Sequence, residues 1–278
     1  MKALRHILPV CVVLAAFSCT KRIELELNDD NNRRLVVDAW FTSINKQHEV
    51  RLTETTSYYA TEEAPKVSGA VVKITGPDVN ETLIEEAPGV YRTSSIAGTI
   101  GNTYTLTIEH DGETYEASGF MRDCAPIDAV TVEFEEVEEE EEVDVDGWYV
   151  VYINTQELPG LGDDYMWLTY INGEPLRDTL SEIFFVTDQF YDGIYIEEAD
   201  IEYLESPGEA SAGDVLRIEQ LNIGRAGFEV LNGIMNETQW NGGLFDAPPA
   251  NVATNISGGA LGFFGVAGAQ DIAFTIPE

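Results

Sequence analysis

From residue 35 onward, hydrophobic and polar positions alternate with a period of two. The runs LVVDAWFTS (35–43), EVRLTETTSYY (49–59), GAVVKIT (69–75), ETLIEEA (81–87), GVYRTS (89–94), NTYTLTIEH (102–110) and ETYEASGFM (113–121) are short and rich in β-branched and aromatic residues. Gly, Pro, Asn and Asp clusters separate them, which is the signature of strands divided by turns. The clearest pair meets at Asp111-Gly112, a dipeptide that supplies the positive φ values of a two-residue type I′ hairpin turn. Tyr104, Leu106 and Ile108 alternate there with Thr105, Thr107 and Glu109, so one face is expected to be buried and the other wet. Many short strands with turn signals at this spacing predict an immunoglobulin-like or transthyretin-like sandwich.

Residues 122–128, with Cys124 and Pro126, interrupt the alternation and set a boundary. An acidic run follows over 133–146, expected as a solvated loop because like charges oppose burial. The aromatic strand 148–153 comes next, then strand-like runs at 165–173, 182–188, 193–204 and 214–223. Between Gly224 and Trp240, Phe228, Leu231, Ile234 and Met235 recur at helical spacing, predicting one helix, with Gly227 and Gly233 counting against it. Residues 241–270 read as a long Gly-, Pro- and Asn-rich passage in which Leu261, Phe263 and Phe264 suit core strand positions, and 273–278 as an edge or pairing strand. The fold class expected is all-β: an N-terminal sandwich at 32–124 and a β-rich C-terminal domain at 125–278 with one helix.

The beginning of the chain has a different pattern. Lys2 and Arg5 precede an apolar stretch at 7–17, closed by Ser18-Cys19. The stretch falls short of the ~20 apolar residues that span a bilayer, and it has the layout of a secretory signal. Cys19 makes it a lipoprotein signal: 1–18 is cleaved, Cys19 carries lipid, and 19–31 is a tether. With Cys11 removed and Cys19 acylated, Cys124 is left without a disulfide partner, a small buried hydrophobe with no reason to ionise.

Composition changes the picture in one respect. The chain has 15 Lys+Arg against 50 Asp+Glu, a formal net charge of −35. A field of that sign repels phosphate and argues against nucleic acid, while it favours cations and keeps the chain soluble. With 44% hydrophobic residues the chain has enough apolar surface to fold around a packed core.

Catalytic signals are weak. His48 and His110, the histidines outside the signal, both lie within strand patterns, and no nucleophile elbow, zinc-binding helix, phosphate loop or Cys-x-x-Cys accompanies them. Asp188 and Asp192, four apart before Gly193, could join a calcium site, yet turn chemistry explains them more simply, and no metal or other cofactor is expected. The passage 240–257 sets Trp240, Phe245, Asp246, Asn251 and Asn255 among paired glycines and prolines, and these residues form the candidate binding surface.

The order Cys19, LVVDAWFT (35–42), VSGAVVKI (67–74), PGVYRTS (88–94), GNTYTLTIEHDGETYEA (101–117), DQFYDG (188–193), GGLFDAPPANVATNIS (242–257) and GGALGFFGV (258–266) resembles a family of Bacteroidota lipoproteins known as domain of unknown function 4249. The resemblance implies an outer-membrane lipoprotein without assigned activity, whose genes often neighbour TonB-dependent receptors. The function expected is therefore a non-catalytic, lipid-anchored outer-membrane protein that serves a TonB-dependent transporter as accessory or substrate-binding partner. Its ligand would be a small molecule, peptide or glycan, and the side of the membrane it faces is left open. A surface binding or adhesion module without a transporter is the alternative, and a hydrolase a distant third.

Overall fold

A computed structural model describes residues 33–57, 60–137, 146–239 and 251–277. Cys19, the tether and the acidic stretch 138–145 lie outside the described residues. Arg34–Glu278 forms one compact unit. Its described residues are all-β with one α-helix.

Eight strands come first: β1 (Leu35–Thr42), β2 (Lys46–Glu54), β3 (Val71–Thr75), β4 (Asn80–Thr82), β5 (Ile84–Ala87), β6 (Val90–Ile96), β7 (Thr103–His110) and β8 (Glu113–Phe120). They build a two-layer sandwich in which β1, β2, β6 and β5 form one sheet and β4, β3, β7 and β8 the other. The period-two pattern sets the inner faces: Leu35, Val37, Ala39 and Phe41 of β1 meet Tyr104, Leu106 and Ile108 of β7 in a single core. The β7–β8 hairpin turns at Asp111 (φ 51°) and Gly112 (φ 80°), both in the left-handed region as the type I′ turn requires. The run 81–87, expected as one strand, is two. β4 pairs with β3 and β5 with β6, and buried Leu83 sits at the corner where the chain changes sheets, its N–H donating to the Val72 carbonyl.

The second set is β9 (Ala129–Glu136), β10 (Gly147–Gln156), β11 (Tyr165–Ile171), β12 (Glu174–Pro175), β13 (Phe185–Val186), β14 (Tyr195–Ser206), β15 (Val215–Asn222), α1 (Gly224–Thr238) and β16 (Leu261–Thr275). Part of the acidic run is strand, not loop: Glu133, Glu135 and Glu136 belong to β9, which pairs with β10. The sheet β14-β10-β9 covers the β11–β15 region of the long sheet. The run 182–188 contributes only the two-residue β13 and flanking 3-10 turns at Leu180–Glu182 and Asp188–Phe190.

The largest departure from the sequence reading is β16. The end of a Gly-rich passage, read as strand only at Leu261, Phe263 and Phe264 and again from 273, becomes a single 15-residue strand in which Phe264 is buried and Leu261 and Phe263 are half-buried. It pairs in parallel with β1 from Val36↔Leu261 to Thr42↔Ala267, then antiparallel with β15 from Asn222↔Gly268 to Val215↔Thr275. Its glycines mark close approaches: a Cβ at Gly265 would lie 2.1 Å from the Trp40 ring, and one at Gly268 2.1 Å from the Arg122 carbonyl oxygen. The apolar cores change over between Met121 and Cys124, near the expected boundary at 124/125, but Ile256, Ala260, Phe264 and Val266 return to the first core. One sheet therefore runs through both halves.

The helix α1 packs on this seam. Gly227, which weakened the helix prediction, is what admits it, because a Cβ there would meet Ile223 at 3.0 Å and the Trp40 ring at 3.2 Å. Among the described residues, no helix is long and apolar enough to cross a membrane.

Candidate functional site

Between the β14-β10-β9 sheet and the β11–β15 face lies a cavity of about 220 Å³. Strand alternation builds its walls: Ile153 and Thr155 point inward from β10, Tyr165 and Trp167 from β11, and Gln220 from β15, all buried. Its rim carries exposed Phe184, Tyr191 and Asp200. Trp167 stacks on Phe184 with ring centroids 5.4 Å apart and planes 24° from parallel, and lies 6.2 Å from the Tyr165 ring. The Trp167 indole N–H donates to Gln220 Oε1 at 3.0 Å, which fixes the ring in the wall.

At one end the lining turns acidic. Glu157 follows β10, and Asp188 opens the 3-10 turn between β13 and β14; both line the cavity and both are buried. Asp163 and Asp164, from the Gly-rich loop 160–164, sit behind them, also buried. Asp188 Oδ2 accepts the backbone N–H of Gly162 at 2.5 Å and of Asp163 at 2.9 Å, while Oδ1 faces Arg225 Nη2 at 3.1 Å. Arg225 Nη2 also reaches Asp164 Oδ1 at 3.2 Å, and Arg122 Nε stands 3.3 Å from Asp163 Oδ1. Glu157 has neutral donors: the Gly193 N–H on Oε2 at 2.5 Å and the Tyr165 hydroxyl on Oε1 at 3.2 Å.

Of the four buried carboxylates, two guanidinium groups thus serve three, and Glu157 has none. Burial raises the pKa of Glu157 and of Asp164 above the ordinary carboxylate range, because desolvation disfavours the charged form. Asp164 Oδ2 is buried with no hydrogen-bond partner. Oxygens of Glu157, Asp163 and Asp188 lie within 4.8 Å of one another, close enough for a divalent ion, but Asp188 and Asp163 already commit theirs to protein donors.

Residues 20–272 match the family described as Domain of unknown function (DUF4249). The chain belongs to that family. No curated protein matches the chain. Among solved structures, the chain is similar to bovine butyrophilin at 10% identity, over 88% of this chain and 99% of that one, with a TM-score of 0.22. A score at that level bears on neither fold nor function.

In this family member the residues singled out from sequence fall in different places. Trp240, Phe245 and Asp246 lie outside the described residues. Asn251 is exposed. The Asn255 amide is spent on the backbone of β16, donating to the Phe264 carbonyl at 2.8 Å and accepting its N–H at 3.0 Å. Asp188 and Asp192 do more than turn chemistry: beside the bonds of Asp188, Asp192 Oδ1 accepts the Gly160 N–H at 2.6 Å, so both tie their turn to the 160–164 loop. Cys124 is buried, and its thiol is pushed up to about 12 by desolvation. His48 is buried in the sandwich against Phe41, its Nε2 3.0 Å from the Ile96 carbonyl oxygen. His110 lies at the β7–β8 turn beside Asp111.

Sequence reasoning did not find Glu157, Tyr165 or Trp167 as a group. They stand in separate runs, and only strand pairing brings them together. The available signal was local: Gly160-x-Gly162-Asp163-Asp164 and Asp188 to Gly193 are two turn-forming acidic segments, each beside an aromatic strand.

Proposed function

We propose that this protein is a non-catalytic binding protein of the cell envelope, anchored by lipid at Cys19 and acting as substrate-binding partner of a TonB-dependent outer-membrane transporter. The observation that carries the binding role is the cavity under Trp167: apolar walls with a few convergent polar groups are the ordinary form of a small-molecule site. The anchor rests on the charged, apolar and Ser18-Cys19 segments in order. The transporter rests on the resemblance of the chain's segments to lipoproteins encoded beside such receptors.

Mild detergent extraction of the tagged, full-length protein, followed by mass spectrometry, tests the partnership. Recovery of a TonB-dependent barrel in stoichiometric amount is expected, and it should be lost when Cys19→Ala releases the protein from the membrane. An intact, membrane-bound protein that brings down no such barrel contradicts the transporter role. A Cys19→Ala variant that stays in the membrane fraction contradicts the anchor.

A further inference from the structure

The charge inventory around the cavity is incomplete. Asp163, Asp164 and Asp188 face Arg122 or Arg225, whereas Glu157 is held by a backbone N–H and a phenol. A buried carboxylate with neutral donors alone loses hydration that those donors only partly replace. Glu157 shares the cavity lining with four aromatic rings, Tyr165 and Trp167 in the wall and Phe184 and Tyr191 toward the rim, and hydrogen-bonds to the first of them. Aromatic faces attract cations through the ring quadrupole, most strongly where water is excluded. Asp200 adds a third carboxylate to the lining, at the opening.

We propose that the cavity binds a small organic cation, an amine or quaternary ammonium on an apolar body, with the positive group against Glu157 and the body against Tyr165 and Trp167. This rests on the binding role argued above and adds the class of ligand. Size agrees: an apolar cavity of ~150 Å³ accommodates benzene, so about 220 Å³ admits a single ring with a short aminoalkyl arm. The net charge of −35 concentrates cations near the protein and speeds their arrival. A bound ammonium supplies the charge that Glu157 lacks and draws the carboxyl back to its ionised form, reversing the effect of burial.

Titration calorimetry on the full-length chain with phenethylamine and with its neutral isostere propylbenzene tests this. Phenethylamine should bind with 1:1 stoichiometry and at least about tenfold more tightly than propylbenzene, a difference of ~1.4 kcal/mol. Glu157→Gln keeps the shape, its amide oxygen accepting the Gly193 N–H and its amide N–H donating to the Tyr165 hydroxyl, and should remove that preference and leave propylbenzene binding unchanged. Equal binding of the two compounds to the unaltered chain overturns the cation assignment while the cavity's binding role stands. Binding of neither overturns both. A preference that survives Glu157→Gln places the cation elsewhere and overturns the assignment to this site.

Discussion

The two halves of the unit bury different things. In the sandwich, the interior is aliphatic and aromatic, with few polar groups: the Tyr91 hydroxyl donates to the Val67 carbonyl and accepts the Ala70 N–H, both at 3.0 Å, while buried His48 has Nε2 3.0 Å from the Ile96 carbonyl oxygen and Nδ1 without a partner. The half beyond Cys124 holds every buried carboxylate among the described residues: Glu157, Asp163, Asp164, Asp188 and Glu219. It also encloses the aromatic cavity. Removing an ionised group from water costs several kcal/mol even after relaxation. One half is thus packed for stability, and the other gives up stability to hold charge beside a cavity, a pattern typical of binding sites. β16 lets the second half sustain that cost, because it pairs with β1 and β15 in a single strand.

The comparison breaks most severely at the seam. Gly268→Val sets a side chain against the Arg122 carbonyl oxygen and should cost about 3 kcal/mol or more. Both halves should then lose stability together, seen as one lowered calorimetric transition. Two separated transitions, with only the second shifted, would mean that β16 does not couple the halves. Phe41→Ala, at a fully buried sandwich position, should cost ~3–5 kcal/mol while leaving phenethylamine affinity unchanged in the protein that remains folded.

Acid should act on the halves with opposite sign. His48 is held down to about 4 by burial, against ~6.5 in an unfolded chain. The stability from keeping it neutral is complete above pH ~6.5 and is lost as pH falls toward 4, at up to about 1 kcal/mol per pH unit. Glu157 and Asp164 have raised values, so their contribution is fullest below the unfolded carboxylate range and is lost as pH rises through the folded values. His48→Gln should flatten the decline of Tm between pH 6.5 and 4. Glu157→Gln should raise Tm at pH 7 by ~2–4 °C, the shift that ~1 kcal/mol produces in a chain of this size, and the gain should vanish near pH 4. A lower Tm for Glu157→Gln at pH 7 would show that the carboxylate stabilises the protein without added ligand. The smallest effect concerns Cys124: buried, with its thiol pushed up to about 12, it should resist thiol reagents at neutral pH until the protein unfolds. Rapid labelling of the native chain would contradict its place in the core.

What was legible in the sequence follows the same division. The sandwich strands and the Asp111-Gly112 hairpin could be read directly, because a sheet with one wet face imposes period two on its residues. β16 could be read only at its ends, because between them it is flanked by β1 and β15 and crossed by Trp40 and Arg122. Those contacts select Gly and Ala, the residues that otherwise mark loops. Asp188 was visible as a turn residue, but its service to the 160–164 loop and to Arg225 depends on tertiary contacts. Glu157 carries no local signal at all in a chain with 50 acids.

The most direct measurement is a crystal structure of the protein soaked with phenethylamine. The account predicts electron density for the ligand inside the cavity, its ammonium within hydrogen-bonding distance of the Glu157 carboxylate and its ring against Tyr165 and Trp167. An empty cavity at saturating ligand, or a ligand whose ammonium points away from Glu157, would contradict it.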